Sequence, residues 1–270
     1  MKRIVLGRWP GARPFAVTFS YDDGRTHDLR LIDLLNRYGF KGTFHLNSGT
    51  IGKPGRVSED DIRTRYTGHE IAVHTVSHPM PVRTPDPVLL EEVVQDRRRL
   101  EALSGTIVDG MSYPFGNHDA RFRALLRASG IVYSRTTHDD RTFGLPEDWL
   151  QWHPTCHDRN ATPELIAAFF KVASWSQTGR LLYIWGHSYE FDREGGWESI
   201  EAVLKNIRSA GGDTIWAATN REIYTYAEAV RGLEFAADAS RVRNPSATPV
   251  WIDVDGQPVA IPAGGTVQFP

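Results

Sequence analysis

Cysteine is almost absent from this chain: Cys156 is the only one in 270 residues. A single thiol excludes an intramolecular disulfide and any multi-cysteine metal site. No apolar run reaches the roughly eighteen residues of a membrane-spanning helix, so no membrane partner is expected. An excess of one charge is also missing. The 31 Lys and Arg residues nearly balance 33 Asp and Glu, for a net −2 spread along the length. That pattern carries no electrostatic footprint for nucleic acid. Met1 to Pro14 hold basic side chains but lack the apolar core of a secretory signal. The chain as written is therefore expected in the cytoplasm, or outside the cell if a leader has been trimmed.

What is present is an alternation of short apolar runs with amphipathic stretches, the signature of repeated βα units. Phe15 to Phe19, Gly42 to Leu46, Glu70 to Val73, Met111 to Tyr113, Ile131 to Ser134, Leu181 to Trp185 and Thr214 to Ala217 read as strands. Helical spacing follows at Leu29, Ile32, Leu34, Leu35 and Tyr38, with Gly39 placed to end that helix. Ser58 to Asp61 has a capping-box arrangement, and Asp86-Pro87 is expected to cap a long helix through Leu103. Further helices are expected over Ala120 to Ala128, Thr162 to about Trp175, Trp197 to Ser209 and Asn220 to Val230. The fold class is α/β: a distorted (β/α)7-type barrel over residues 1–235. Residues 236–270, where Val250, Ile252 and Val254 alternate before Asp255-Gly256, read as a small C-terminal β appendage packed on the same domain.

The chemistry gathers where strands end, the position of active sites in such barrels. Ser20-Tyr21-Asp22-Asp23-Gly24 closes the first strand, and His74-Thr75-Val76-Ser77-His78-Pro79 follows the third. Two carboxylates and two imidazoles are a ligand set that a divalent metal such as zinc accepts while keeping positions open for water and substrate. One carboxylate can bind the metal and leave its neighbour to act as a base. Alone, an Asp-Asp-Gly is more often a solvated turn and a His-x-x-x-His more often a loop. Both in this order, each at a strand end, point to a metal-dependent hydrolase.

These two segments resemble the motifs of the polysaccharide deacetylase family (carbohydrate esterase family four), over roughly residues 13–230. The resemblance implies that Asp23, His74 and His78 bind one divalent metal ion, zinc foremost, with cobalt, nickel or manganese as alternatives. It makes Asp22 the general base and gives the Phe115 amide the role of oxyanion donor. The family's Arg-x-Pro-Tyr/Phe-Gly is only half matched by Ser112-Tyr113-Pro114-Phe115-Gly116, which lacks the arginine. Arg135, at the end of the next strand, is the expected substitute. The closing motif is matched by Leu181 to His187, making His187 the general acid, and an imidazole near its natural pKa suits that task. Among Asp139, Asp140 and Asp148, Asp140 is the expected partner of His187. Tyr113, Asn47 and Trp185 are candidate substrate contacts, and Tyr189 and Trp197 candidate sugar-stacking rings. The implied substrate is an N- or O-acetylated carbohydrate. Two other readings stay open: hydrolysis of a small, cyclic amide on the same fold, and a non-catalytic carbohydrate-binding protein. A homo-oligomer is also possible.

Overall fold

A computed structural model describes residues 2–171, 179–193 and 196–269. Its centre is strand β2 (Phe15–Asp22), buried at every position. A strand covered on both faces needs no polar alternation, which explains the continuous apolar run that announces it. On one side β2 pairs in parallel with β8 (Arg180–Gly186) from Phe15 to Tyr21. On the other side it is shared: β9 (Ile215–Ala217) takes Phe15 to Val17, and β3 (Gly42–Leu46) takes Phe19 to Asp22. From β3 the parallel sheet continues through β4 (Glu70–Val73) and β5 (Gly110–Ser112) to β6 (Tyr133–Arg135).

Closure comes from the segment after β6. Trp152 accepts from Thr136 N at 3.0 Å and donates to Ser134 O at 3.1 Å, a parallel bridge opposite Arg135. Thr155 N then donates to Tyr183 O at 2.8 Å, and β7 (Cys156–His157) pairs with β8. Residues 152–157 thus join β6 to β8 and complete the distorted seven-unit barrel. Every strand of this barrel is parallel, so all C-terminal ends open at one rim.

Helices cover the outside. Helix α1 (His27–Arg37) ends as expected, with Gly39 at φ +66 after the last turn. Helix α2 (Glu59–Thr64) carries a reciprocal capping box between Ser58 and Asp61. Helix α3 (Asp86–Ser104) departs from expectation at its start. Pro85 is the cap residue, Asp86 is the first helical residue, and the Asp86 carboxylate is taken by Arg121. Strand β6 begins two residues later than expected because Ile131 N closes helix α4 (Ala120–Ala128) by donating to Leu126 O. Helix α5 (Pro163–Phe170) is capped by Thr162, and the expected extension over 172–175 lies outside the described residues. Helices α6 (Gly196–Gly211) and α7 (Asn220–Arg231) complete the series.

The tail forms two small antiparallel sheets. β12 (Val250–Val254) and β13 (Gln257–Ile261) make a hairpin whose turn, Asp255-Gly256, has φ of 50° and 79°. Those angles are the mirror-image turn that a right-handed hairpin twist favours. β12 also pairs with the N-terminal strand β1 (Ile4–Leu6), which the sequence pattern did not announce. β10 (Glu234–Phe235), β11 (Arg241–Arg243) and β14 (Thr266–Gln268) form the second sheet. Val242, Val250, Ile252 and Phe269 share a core with Trp9, Tyr226 and Leu181 of the barrel's outer layer.

Candidate active site

The barrel rim brings Asp23, His74 and His78 together, with one ligand atom from each lying within 4.8 Å of the others. Asp23 Oδ1 is 3.9 Å from both His74 Nε2 and His78 Nε2. Ligand atoms bound at zinc distances on a tetrahedron stand about 3.4 Å apart, so a small inward rotation closes this set. The backbone here is unusual. Asp23, Thr75, His78 and Phe115 all have φ between 58° and 85°, a conformation that non-glycine residues rarely hold. Such outliers cluster where a surrounding framework holds a site in place. Part of that framework is visible: Asp23 N donates to His45 O at 2.9 Å, and the Arg56 guanidinium donates to Asp23 O.

His74 is the most firmly held of the three. Its Nδ1 lies 2.9 Å from Ser112 O and 2.7 Å from Ser112 Oγ, while that hydroxyl donates to Asp22 Oδ1 at 2.9 Å. With the serine proton committed to Asp22, the His74 proton belongs on Nδ1. Nε2 is left as a lone pair facing Asp23. Behind the ring, Asp96 of α3 accepts from His74 N at 2.9 Å and Ser48 N at 2.7 Å. Burial pushes the Asp96 carboxyl up to about 7 although these donors oppose it. Asp96 was not foreseen, yet the signal was there. It occupies the buried stripe Leu89, Val93, Asp96, Leu100, Leu103, a lone acid where the helix faces the core.

Asp22 is buried beside this group and points at a different partner. Arg135, with no solvent exposure at all, donates through Nη2 to Asp22 Oδ2 and through Nε to Ser20 Oγ at 2.9 Å. Its Nη1 donates to Thr136 O at 2.9 Å, and its guanidinium lies 4.5 Å from the Trp185 ring centre. Burial by itself would raise the Asp22 carboxyl. The Arg135 charge, helped by His74, outweighs burial and holds it well below the usual carboxylate range. The guanidinium at Asp22 thus comes from the end of β6, the strand beside β5, where Arg135 stands in register with Ser112. His45, buried and 2.9 Å from Ser20 Oγ, is pushed down to about 3 by burial and stays neutral.

His187 follows β8, and its neighbour differs from the one expected. Asp140 does not reach it, because both Asp140 oxygens accept from Thr142, at 2.8 and 2.9 Å. Asp139 accepts from Trp185 Nε1 and His157 N, and Asp148 caps the turn at Leu150 and pairs with Arg127. The carboxylate at His187 is Glu190, whose Oε1 lies 3.3 Å from Nδ1. His187-Ser-Tyr-Glu190 is an i, i+3 pair in a single helical turn, a spacing visible in the sequence but not used. Burial lowers the His187 pKa, but Glu190 and Asp22 outweigh it and hold it above the ordinary value. Glu190 Oε2 in turn lies 3.0 Å from His157 Nε2, and His157 Nδ1 lies 2.9 Å from Asp158 Oδ1.

The remaining candidates divide. Phe115 stands at the rim, 60% exposed, with its ring 4.4 Å from that of His78. Tyr113 is not a substrate contact through its side chain: it is buried, stacks on His118 and donates its hydroxyl to Leu150 O at 2.7 Å. Asn47 is also turned inward, donating to His74 O at 2.7 Å and Thr75 O at 3.0 Å, so it braces the histidine loop. Trp185 is 7% exposed and fills the wall between Arg135 and His157, leaving no face for a sugar. Trp197 is core, and Tyr189 lies beside His187 at 5.3 Å.

Known proteins resemble the chain in sequence and in fold. A family model described as "Polysaccharide deacetylase" matches residues 11–134. Chitin deacetylase 1 of Cryptococcus neoformans var. grubii is 28% identical over 138 residues, 50% of this chain and 28% of that protein. The chain therefore spans well under half the length of that relative. Among solved structures, a family 4 carbohydrate esterase from Streptomyces lividans in complex with acetate superposes with a TM-score of 0.53 at 14% identity. That likeness covers 77% of this chain and 93% of the other. The Xyl-CE4 domain of a multidomain xylanase from the hindgut metagenome of Trinervitermes trinervoides gives 0.53 at 15% identity, covering 79% and 91%. At such identities the likeness concerns the fold.

Proposed function

We propose that this chain, whose residues 11–134 match the polysaccharide deacetylase model, is a metal-dependent hydrolase that removes N- or O-acetyl groups from a carbohydrate. The observation that carries this reading is the pairing of two neighbouring carboxylates with opposite surroundings. Asp23 faces two imidazoles, whereas Asp22 faces a buried guanidinium and a serine hydroxyl. A binding protein has no need of a base held ionised next to a ligand set.

Asp23, His74 and His78 would hold the divalent ion, and their mixed carboxylate and imidazole donors suit zinc, cobalt, nickel or manganese. Such an ion supplies Lewis acidity, making water acidic near neutral pH and polarising the acyl oxygen. Asp22, kept ionised by Arg135, takes the proton of the attacking water. Arg135 fixes the carboxylate in one orientation and leaves it charged after burial. The Phe115 amide, in a backbone turn at the rim, is the donor assigned to the developing oxyanion. His187 gives its proton to the departing amine or alcohol, with Glu190 taking the orienting role first assigned to Asp140. The exposed Phe115 ring offers an apolar face to the sugar beside the scissile group.

The test is acetate release from N-acetylated oligosaccharides and O-acetylated xylan, after chelation and return of the metal. Metal-dependent release that is lost in Asp22→Asn is the expected result. Ring opening of cyclic amides with no acetate from any carbohydrate would overturn the substrate assignment.

A further inference from the structure

We propose that His157, His187 and Glu190 form a second divalent-cation site, whose filling takes His187 out of catalysis, so that excess zinc inhibits the enzyme. The inhibitory part rests on the reading of His187 as proton donor; the binding site itself does not.

One donor atom from each of the three residues lies within 4.8 Å of the others. The Glu190 carboxylate stands between the rings, 3.0 Å from His157 Nε2 and 3.3 Å from His187 Nδ1. These distances suit hydrogen bonds, but the directions do not. Among the described residues, buried His187 Nδ1 and Glu190 Oε2 have no hydrogen-bond partner. Two buried donor atoms without partners, close to a third, are atoms that a shared cation would satisfy. Two imidazoles and one carboxylate are the donors of many zinc centres.

The surroundings have the second layer such a centre needs. Asp158 Oδ1 lies 2.9 Å and Arg159 N 3.4 Å from His157 Nδ1, and a cation at Nε2 would displace the proton that the flanking carboxylates otherwise hold on the ring. His157 is 97% buried by its 3% exposure, its backbone N–H is held by Asp139 at 2.9 Å, and its ring packs 4.7 Å from Trp185. A cavity of about 240 Å³ opens on His157, Asp158 and Glu190 between α5 and α6, giving an ion a way in that does not cross the Asp23 site.

The consequence for catalysis follows from the imidazole alone. A cation on Nδ1 displaces the proton there to solvent. The ring then carries one proton, on Nε2, and as a neutral ligand it is a far weaker acid than imidazolium. The leaving group loses its donor while the Asp23 site stays filled.

Cobalt and zinc titrations of the full chain, stripped of metal, count the sites. Two equivalents are expected for the wild type, one for His157→Gln, one for Glu190→Gln, and one for His78→Gln. On an acetylated substrate, ten equivalents of zinc should lower the wild-type rate about 100-fold relative to one equivalent, the low end of what a positioned proton donor contributes. In His157→Gln and Glu190→Gln the same ratio should return close to one, whatever their basal rates. Glu190 is partly exposed, so that variant guards against a folding failure at buried His157. A wild type that binds one equivalent, or a second equivalent untouched by either substitution, would overturn the site. Two equivalents with no acetate release from any substrate would leave the site standing and defeat the deacetylase reading instead.

Discussion

Strands β4 and β6 each carry a polar residue at both ends, and the two ends behave differently. At their starts, Glu70 and Tyr133 meet across the floor of the barrel; at the other end, His74 just past β4 and Arg135 closing β6 meet Asp22 at the rim. Glu70 and Asp22 are both buried carboxylates. Glu70 accepts from Tyr133 at 2.5 Å, Thr43 at 2.9 Å and Arg221 N at 2.8 Å, all uncharged donors, and burial still pushes it up to about 7. Asp22 has a single hydroxyl and one guanidinium, and it is held far below the carboxylate range. Neutral hydrogen bonds satisfy a buried acid without keeping it ionised; a full charge is needed for that. The floor is thus built for stability and the rim for reactivity.

The contrast can be broken at its strongest point first. Asp22→Asn should lower kcat for acetate release by about 1000-fold, within the span for a lost general base, while metal affinity measured by titration stays within about tenfold. Substantial residual turnover would remove Asp22 as the base. Asp96→Ala removes the acceptor shared by the His74 and Ser48 backbone N–H groups and loosens the His74 loop. Metal affinity should fall about 10- to 100-fold, as for other supporting residues behind a metal ligand, which competition with a chelator reads directly.

Arg135→Met tests the charge argument itself. It leaves Asp22 buried without a charged partner, a change that costs about 3–5 kcal/mol in urea unfolding at neutral pH. With the guanidinium gone, the Asp22 carboxyl rises, so the acid limb of the pH–rate profile should move to higher pH. An unmoved acid limb would mean that Arg135 does not set the charge of the base. Glu190→Gln sharpens the other side of the site. Losing the carboxylate lowers the His187 pKa, so the alkaline limb should shift to lower pH.

The smallest effect on activity is expected at the floor. Glu70→Gln should leave kcat within about twofold, because nothing it touches reaches the rim. Its signature is in stability. The folded Glu70 pKa of about 7 lies above the ordinary 4.5, so the folded state holds the proton more tightly. That contribution is complete below 4.5 and is lost as pH rises through 7, on the order of 3 kcal/mol. Unfolding measured from pH 4 to 8 should therefore fall less steeply in the variant. Equal slopes would place the Glu70 proton elsewhere.

Much of the rim was legible because its residues are rare types in fixed spacing: Asp-Asp-Gly and His-x-x-x-His each follow an apolar strand. Arg135 was legible only as a charged residue ending the next strand, since register across β5 and β6 decides what it faces. The supporting layer was harder. Asp96 acts from a helix far along the chain, and only its place on an apolar stripe gave it away. Glu190 was hidden by attention to aspartates in a loop that turn out to cap their own turns. Tyr113, Asn47 and Trp185 stand at strand ends as expected, but a strand alternates its side chains. A position at the rim does not say which face is used. The pairing of β1 with the tail carried no signal at all, because three residues of strand have too little pattern to distinguish from a loop.

The three-way sharing of β2 also sets an order of events. Its upper neighbour β3 is made within a few dozen residues, but β8 and β9 begin only at residues 180 and 215. A chain growing from a ribosome holds the Asp22 and Asp23 segment in hand long before the strands that seat it exist. The stretch that carries the family likeness, residues 11–134, ends short of those strands. It is therefore a signature rather than a folding unit, and released alone it would leave the hub of the barrel with one side bare.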